Sequence, residues 1–321
     1  MLLFLEPDTA FDYYSDLAIK SWVVHHYVHP VEEERTPYVP KAGRPDDLAG
    51  KVIVVTGASS GIGAALARQL GKRGDRVVLG ARRGELLGKV AAESGGDSMA
   101  VVVDVTKRAE VDHLRDEAVK RFGHVDVWVN NAGRGFTKNV DELTDDDVRM
   151  VFDAVVMSVL YGMQSILPHF KARKAGHIVN VSSFLGRVPL LPYRSIYSAS
   201  KSAVNVLSAN LRMDLASTWP DIHVSVVLPG IVDTPYHDIA GPGLKVRAGG
   251  YLGPTRVESA EEVASKIIEV IDCPAAETYT NPSSAELVGP YFRDVGAFEE
   301  DLARRRQAGG DASAGSARPS S

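Results

Sequence analysis

Tyr197 and Lys201 are the two residues of this 321-residue sequence whose types and spacing point most directly to chemistry. Four positions apart on a helix, they would lie on one face, one turn from each other. A phenol with an ordinary pKa of about 10 exchanges protons poorly at neutral pH, and a neighbouring ammonium favours the phenolate. The pair could therefore move a proton to or from an alcohol or carbonyl oxygen. An ordinary helix start with a solvated lysine fits the same spacing.

A second element, far upstream, could hold a phosphate. The run KVIVVTGASSGIG, beginning at Lys51, reads as a buried strand, a glycine-rich turn and the start of a helix. Gly57 would allow the tight turn, Gly61 the approach of a pyrophosphate, and Gly63 close packing of the helix on the strand. Free N–H groups at the helix N-terminus would face the phosphates. Ser59, Ser60 and Ile62 of the same loop are further candidate cofactor-binding residues.

Two arginines end the second apolar run, about 20 residues after the loop, where NAD sites place an acid on the ribose 2′-hydroxyl. This sequence has Arg82 and Arg83 there and no Asp or Glu. A guanidinium suits a 2′-phosphate, so the pattern favours NADP(H) over NAD. Solvated arginines at a strand end are the alternative.

Apolar runs alternate with helical patterns from residue 51 onward. The runs lie at 76–81, 99–105, 125–133, 177–183 and 223–230, with a plausible last strand at 277–282. Such alternation indicates a parallel sheet covered by helices on both faces. We therefore predict an α/β fold with a doubly wound, Rossmann-like parallel sheet. Late in the chain, Ser259 and Glu262 predict a capped helix start.

Bulk composition is that of an ordinary globular protein, with 45% hydrophobic and 24% charged residues. The formal net charge of −5 and the lack of a basic block argue against nucleic acid as a partner. Cys273 is the one cysteine, which fits a reducing compartment, and we expect a cytoplasmic protein. No apolar stretch reaches the length of a membrane span.

The two ends differ in composition from the middle of the chain. We predict an N-terminal extension and linker at 1–48, one domain at 49–302 and a disordered tail at 303–321. Within the extension, residues 17–28 could form a short helix that packs on the protein or lies peripherally on a membrane. His25 and His29 have a metal-ligand spacing but no evident third ligand, so we predict no metal.

Four motifs occur in a consistent order: TGASSGIG, NNAG at 130–133, YSASK at 197–201 and PG at 229–230. Together they resemble the short-chain dehydrogenase/reductase family over roughly residues 47–300. The resemblance implies a single domain with about seven parallel strands and an oxidoreductase acting on an alcohol or carbonyl. It also implies that Tyr197 is the general acid/base, that Lys201 holds the nicotinamide ribose, and that Ser183 orients the substrate oxygen.

The resemblance assigns further cofactor contacts residue by residue. An adenine-side contact is implied at Asp104 and the adjoining Val105. The remaining implied contacts come from the NNAG motif and from the nicotinamide side, and they are Asn131, Ala132, Gly133, Pro229, Gly230, Val232 and Thr234.

Two departures from the family pattern bear on activity. Ser183 precedes Tyr197 by 14 positions, one more than the family usually has. Val155 stands where the family has an asparagine that supports a proton relay, and valine has no polar side-chain atom. Either other groups rebuild the relay, with Val155 serving as packing, or the enzyme is slower.

The leading functional prediction is hydride transfer between NADP(H) and an apolar alcohol or carbonyl substrate, of lipid-, steroid- or aromatic-like character. A catalytically weak dinucleotide-binding scaffold or redox sensor is the alternative, motivated by Val155. We expect the segment 236–253 to be a lid and Leu190, Leu191, Pro192 and Tyr193 to line the opposite wall. The resemblance further implies a homodimer or homotetramer assembled through helices near 146–172 and 197–218.

Overall fold

A seven-stranded parallel sheet forms the centre of the protein. The structure is a computed structural model that describes residues 50–95, 97–234 and 256–314, with residues 308–314 described by their backbone only. The strands of this sheet are β1 Val52–Thr56, β2 Arg76–Ala81, β3 Met99–Val102, β4 Val127–Asn130, β5 Gly176–Val181, β6 Ile222–Leu228 and β9 Glu277–Tyr279. A separate parallel pair is formed by β7 Ile231–Asp233 and β8 Val257–Ser259. The strand order in the large sheet is β3-β2-β1-β4-β5-β6-β9. The predicted Rossmann-like α/β class is confirmed.

Helices cover both faces of the sheet. They are α1 Gly61–Arg73, α2 Gly84–Ser94, α3 Arg108–Phe122, α4 Asp145–Phe152, α5 Ser158–Arg173, α6 Ser195–Ala216, α7 Ala260–Asp272, α8 Pro282–Arg293 and α9 Val295–Ala314. A π-helical turn, Asp153–Met157, joins α4 to α5. The predicted capped start is confirmed at α7, where the Ser259 hydroxyl accepts from Glu262 N at 3.1 Å.

Alternation along β1 shows how one strand serves two cores. Ile53 and Val55 pack with α1, α2 and α7 on one face, whereas Val52 and Val54 pack with α3, α5 and α6 on the other. All four side chains are fully buried, which is why the strand reads as a continuous apolar run. β1 lies between β2 and β4 in the sheet. From β1 the chain first builds the sheet toward β3 and then, from β4 onward, in the opposite direction toward β6. Such a switch point opens a crevice at the carboxyl ends of the strands.

The continuous helix Asp145–Arg173 is, among the described residues, the one long and apolar enough to cross a membrane by length and composition. Half of its most apolar window is buried inside the protein. Val151, Val155 and Ile166 are among the residues it contributes to the core. The apolar character of this helix therefore serves packing against the sheet.

The C-terminal region ends in a helix. Helix α9 continues through Ala314 and so extends into the segment for which a disordered tail is predicted. Alanine and arginine favour helix, and Asp301 pairs with Arg305 one turn later at 2.7 Å, which supports the helix locally. The rest of the predicted tail, the predicted extension at 1–48 and the predicted lid lie outside the described residues.

Candidate active site

The glycine-rich turn between β1 and α1 is closed against the NNAG segment that follows β4. A Cβ at Gly57 would stand 2.7 Å from the Ala132 Cα, and one at Gly63 would stand 2.5 Å from the Asn131 Nδ2. Gly57 and Gly61 also have positive φ angles of 68° and 55°. Three of the glycines in this turn are therefore required by sterics or by backbone conformation.

Thr56 and Asn131 tie the two segments together. The Thr56 hydroxyl accepts from the backbone N–H groups of Asn131 and Ala132 at 3.0 and 3.1 Å. The Asn131 amide in turn donates to the Thr56 carbonyl at 2.9 Å. These bonds use the backbone N–H and the side-chain Nδ2 of Asn131, so this residue shapes the loop that would hold a cofactor.

Arg82 and Arg83 have different surroundings at the end of β2. The Arg83 guanidinium donates to the hydroxyls of Ser59 and Ser60 at 2.8 and 2.6 Å, which places it over the glycine-rich turn. Arg82 lines the same cavity and acts electrostatically on Asp104. Burial raises the pKa of the Asp104 carboxyl, but hydrogen bonds from Thr106 and the charge of Arg82 outweigh it, and the net pKa is lowered.

Tyr197 and Lys201 lie one turn apart in α6 and are both buried, with 8% and 5% of their surfaces exposed. The Lys201 Nζ is 5.9 Å from the centre of the Tyr197 ring and donates to the Val181 carbonyl at 2.8 Å. Burial lowers the pKa of Lys201, and the nearby Tyr197 only partly opposes this shift. The predicted side-by-side placement is thus present in the structure.

The turn that carries Ser183 is packed directly on α6. A Cβ at Gly186 would lie 2.8 Å from the backbone of Lys201, and the Gly186 carbonyl accepts from Ser202 and Asn205 at 2.8 and 3.1 Å. The Ser183 hydroxyl accepts from the Leu185 N–H at 3.2 Å. This packing holds the serine and the Tyr–Lys pair at the same end of the crevice.

A buried carboxylate anchors the loop after β6. Glu258, on β8, accepts from the Gly230 N–H at 3.1 Å and from the Thr280 hydroxyl at 2.8 Å. The neighbouring Pro229 carbonyl accepts from the Phe184 N–H at 2.9 Å, which links this loop to the serine turn. Sequence reasoning missed Glu258, because nothing in the local pattern shows that its partners come from two other segments.

One cavity of about 760 Å³ joins these segments. Every residue predicted for catalysis or cofactor binding lines it except Gly63, whose place is in the packing of α1 against the NNAG segment. The residues brought together are Gly57, Ser59, Ser60, Gly61, Ile62, Arg82, Asp104, Val105, Asn131, Ala132, Gly133, Ser183, Tyr197, Lys201, Pro229, Gly230, Val232 and Thr234. Their individual roles stay predictions.

The cavity also has walls that the sequence analysis did not anticipate. Leu190 and Leu191 line it as expected, whereas Pro192 and Tyr193 are absent from its lining. Leu287 of α8 and Phe298 and Leu302 of α9 also line it, and they pack against the cluster that contains Leu190 and Leu191. Arg194, Arg134 and Asp153 are further lining residues that were missed. Of these three, only Arg194 could have been inferred from the local sequence, because a cation three positions before Tyr197 would lie about one helical turn from it.

A Rossmann-like α/β fold with a Tyr–Lys pair in its switch-point cavity defines the general class of this protein. A family model described as short chain dehydrogenase matches residues 51–242, more than half of the chain. The chain belongs to this oxidoreductase family.

Relatives and solved structures agree with that membership. The chain is 36% identical to an uncharacterised oxidoreductase of Staphylococcus saprophyticus over 60% of this chain and 78% of the relative. It is 30% identical to the uncharacterised oxidoreductase YxnA of Bacillus subtilis over 77% of this chain and 70% of that relative. A short-chain dehydrogenase/reductase of Burkholderia phymatum in complex with NAD matches with a TM-score of 0.69 and 29% identity, over 77% of this chain and 95% of that one.

A second solved structure carries a different cofactor. It is an alcohol dehydrogenase of the archaeon Thermococcus sibiricus complexed with 5-hydroxy-NADP, with a TM-score of 0.62 and 29% identity. The match covers 71% of this chain and 95% of that one. The two structures thus show that neighbours in this fold hold NAD-type and NADP-type cofactors.

Proposed function

We propose that the protein is an NADP(H)-dependent oxidoreductase that interconverts an apolar alcohol and the corresponding carbonyl compound. The observation that carries this proposal is the convergence of the glycine-rich turn, Ser183, Tyr197 and Lys201 on one cavity. A dinucleotide fits the first of these, because the turn leads into the N-terminus of α1 and lines the cavity together with the cationic Arg82 and Arg83. A bound nicotinamide would supply or accept the hydride.

The residues of this chain would handle position and protons. In alcohol oxidation, the Tyr197 phenolate would take the proton of the hydroxyl group, while the carbon atom that bears this hydroxyl would lose hydride to the oxidised nicotinamide. In carbonyl reduction, the phenol returns that proton to the oxygen. Ser183 would orient the substrate oxygen, and the buried Lys201 ammonium would stabilise the phenolate.

The experiment that tests this proposal is NADPH oxidation against a panel of aliphatic, aromatic and polycyclic carbonyl compounds. NADH is tested in parallel, and the reverse reaction is followed with the matching alcohols and NADP⁺. We expect substrate-dependent oxidation of NADPH by at least one apolar class. A protein that binds NADPH tightly but oxidises it with no panel member would instead support the scaffold alternative.

An apolar substrate is supported by an apolar cluster that contributes to the cavity wall. Phe184, Val188, Leu190 and Leu191 are buried together in this cluster, and side chains of α8 and α9 pack against them. A wall of this composition binds hydrocarbon surface and offers few hydrogen bonds. Leu302 belongs both to this cluster and to the cavity lining, so α9 is a candidate determinant of substrate size.

Leu302→Ser is expected to lower kcat/KM for a bulky apolar substrate by about tenfold, since the hydrophobic contact of one side chain is lost. Affinity for NADPH and kcat/KM for a small carbonyl should change little. Phe292→Ser is the matched control, because Phe292 is an exposed aromatic residue of α8 outside the cavity lining. Equal losses for bulky and small substrates would remove α9 from substrate selection.

The surroundings of Val155 bear on the scaffold alternative. Val155 is fully buried in the apolar core, and the cavity is lined by its neighbours Asp153 and Ala154. In the π-helical turn, the Ser158 hydroxyl donates to the Ala154 carbonyl at 2.9 Å. These contacts support the packing interpretation, and the Asp153 carboxylate and backbone carbonyl groups are polar groups available at this turn.

Val155→Asn is expected to leave turnover unchanged and to reduce the free energy of unfolding by about 1–3 kcal/mol, because the buried amide has no partner. Turnover on the best panel substrate and the melting temperature provide the measurements, with Val155→Ala as the control for lost volume. A higher turnover in the asparagine variant would instead identify a relay deficit in the wild-type enzyme.

Self-association is also part of this proposal, and α6 offers a surface for it. Val206 and Met213, seven positions apart, are 55% and 66% exposed. A repeat of seven places them on one side of the helix, which fits an interface between copies. Light scattering at micromolar concentration should give two or four times the chain mass of 34.6 kDa. The double variant Val206→Lys/Met213→Lys should have a lower measured mass, because two charges interrupt the apolar surface. The control Val140→Lys changes another exposed residue and should leave the measured mass unchanged. A monomeric wild type would refute this assembly.

Cytoplasmic location, with the alternative of peripheral membrane contact through residues 17–28, remains a proposal that rests on composition alone.

A further inference from the structure

Arg194 is a buried guanidinium immediately before α6. Only 4% of its surface is exposed, and its Cζ lies 4.7 Å from the centre of the Tyr197 ring. It also lines the cavity that contains Tyr197, Lys201 and Ser183. A charge removed from water to this extent is unfavourable unless neighbouring groups compensate for it.

Several contacts hold Arg194 over the ring. Its Nη1 donates to the Phe136 carbonyl at 3.1 Å, and its backbone N–H donates to the Leu191 carbonyl at 2.9 Å. Its own carbonyl accepts from Ser198 N at 2.8 Å. The guanidinium is therefore fixed relative to the first turn of α6, where Tyr197 lies.

Among the residues that the structure describes, Arg194 and Lys201 are cations within about 6 Å of the Tyr197 ring centre, at 4.7 and 5.9 Å. The other charged groups that line the cavity are Arg82, Arg83 and Asp104 at the glycine-rich end, Arg134 after β4, the exposed Asp153 before α5, Arg256 before β8, and Asp301 and Arg305, which pair with each other on α9. Beyond Phe136, Lys138 pairs with Asp147 at 2.6 Å. Within the described part of the chain, the charged groups stacked nearest to the Tyr197 ring are thus these two cations.

We propose that Arg194 is a positioning residue that, with Lys201, stabilises the ionised form of Tyr197 and fixes the orientation of its ring. The inference rests on the proposed function, since it gives Tyr197 its role as proton acceptor. A cation beside a phenol favours the phenolate through the Coulomb interaction, and low exposure limits screening by water. A merely structural Arg194 would tie residues 136–138 to α6 without affecting ionisation.

The direct test follows the ionisation of Tyr197 by NMR of protein labelled with ¹³Cζ-tyrosine, with the signal assigned by its loss in Tyr197→Phe. Removing the charge in Arg194→Gln should weaken ionisation by about tenfold, which moves the titration midpoint up by roughly one pH unit. Arg194→Lys keeps the charge and should restore most of the shift. Arg121→Gln removes an exposed, remote arginine and should leave the midpoint in place.

The same shift should appear in catalysis. The acidic limb of kcat/KM for alcohol oxidation should move upward with the NMR midpoint in Arg194→Gln, because the phenolate is needed as the proton acceptor. Arg194→Met provides a second neutral variant with an apolar side chain, in case the glutamine variant does not fold. Unchanged midpoints in the neutral variants would overturn the inference.

The NMR measurement needs no substrate, so its outcome is separate from that of the proposed function. If Tyr197→Phe kept full turnover, the proposed function would fail, whatever the titration of Tyr197 showed. If Tyr197→Phe were inactive and the midpoint did not respond to Arg194, only the inference about Arg194 would fail.

Discussion

Replacing Tyr197 by phenylalanine is expected to lower turnover by about 10²–10⁴-fold, the range typical for loss of a general acid/base. The change removes one hydroxyl group and keeps the ring that packs beside Arg194 and Lys201. Because the aromatic contacts remain, the melting temperature should change little. Affinity for NADPH should fall far less than turnover, since the glycine-rich turn and Arg82 are untouched.

Steady-state kinetics in both directions and fluorescence titration of NADPH provide the measurements. Tyr193→Phe is the matched control, because Tyr193 is a half-buried tyrosine of the preceding loop that packs in the apolar wall outside the cavity lining. A Tyr197→Phe enzyme with nearly normal turnover would show that another group transfers the proton.

Arg82→Gln is expected to weaken NADPH binding by about 10–100-fold and to leave NADH binding unchanged. One charge-assisted contact to a phosphate contributes roughly 1.5–3 kcal/mol, which corresponds to one to two decades in affinity. Arg83 is engaged with Ser59 and Ser60, whereas Arg82 faces the cavity beside Asp104. Arg82 is therefore the more available guanidinium for a 2′-phosphate.

Titration of both cofactors by fluorescence, on the wild type and on Arg82→Gln, decides the point, with Arg121→Gln as the control for lost charge. The wild type should bind NADPH more tightly than NADH, and raising the salt concentration should narrow this difference. Equal wild-type affinities, or a preference for NADH, would leave the two arginines as solvated residues at a strand end.

Local sequence patterns determined most of the fold and one end of the site. Val52–Thr56 is a continuous apolar run because both faces of its strand are covered, and that burial is visible in composition alone. The turn after it requires glycine at Gly57 and Gly63, where backbone or amide atoms occupy the space of a Cβ. Tyr197 and Lys201 share a helix face by spacing, which needs no tertiary information.

The tertiary structure alone decided the other walls of the cavity. Glu258 meets the Gly230 N–H across 28 positions, and Phe298 and Leu302 reach the serine turn from more than a hundred positions away. No local periodicity encodes such a contact, because a side chain shows its partner only after the sheet has brought distant segments together. Arg194 is the clearest case. Its type and spacing were visible in the sequence, but its burial over the Tyr197 ring depends on the Phe136 carbonyl of another loop.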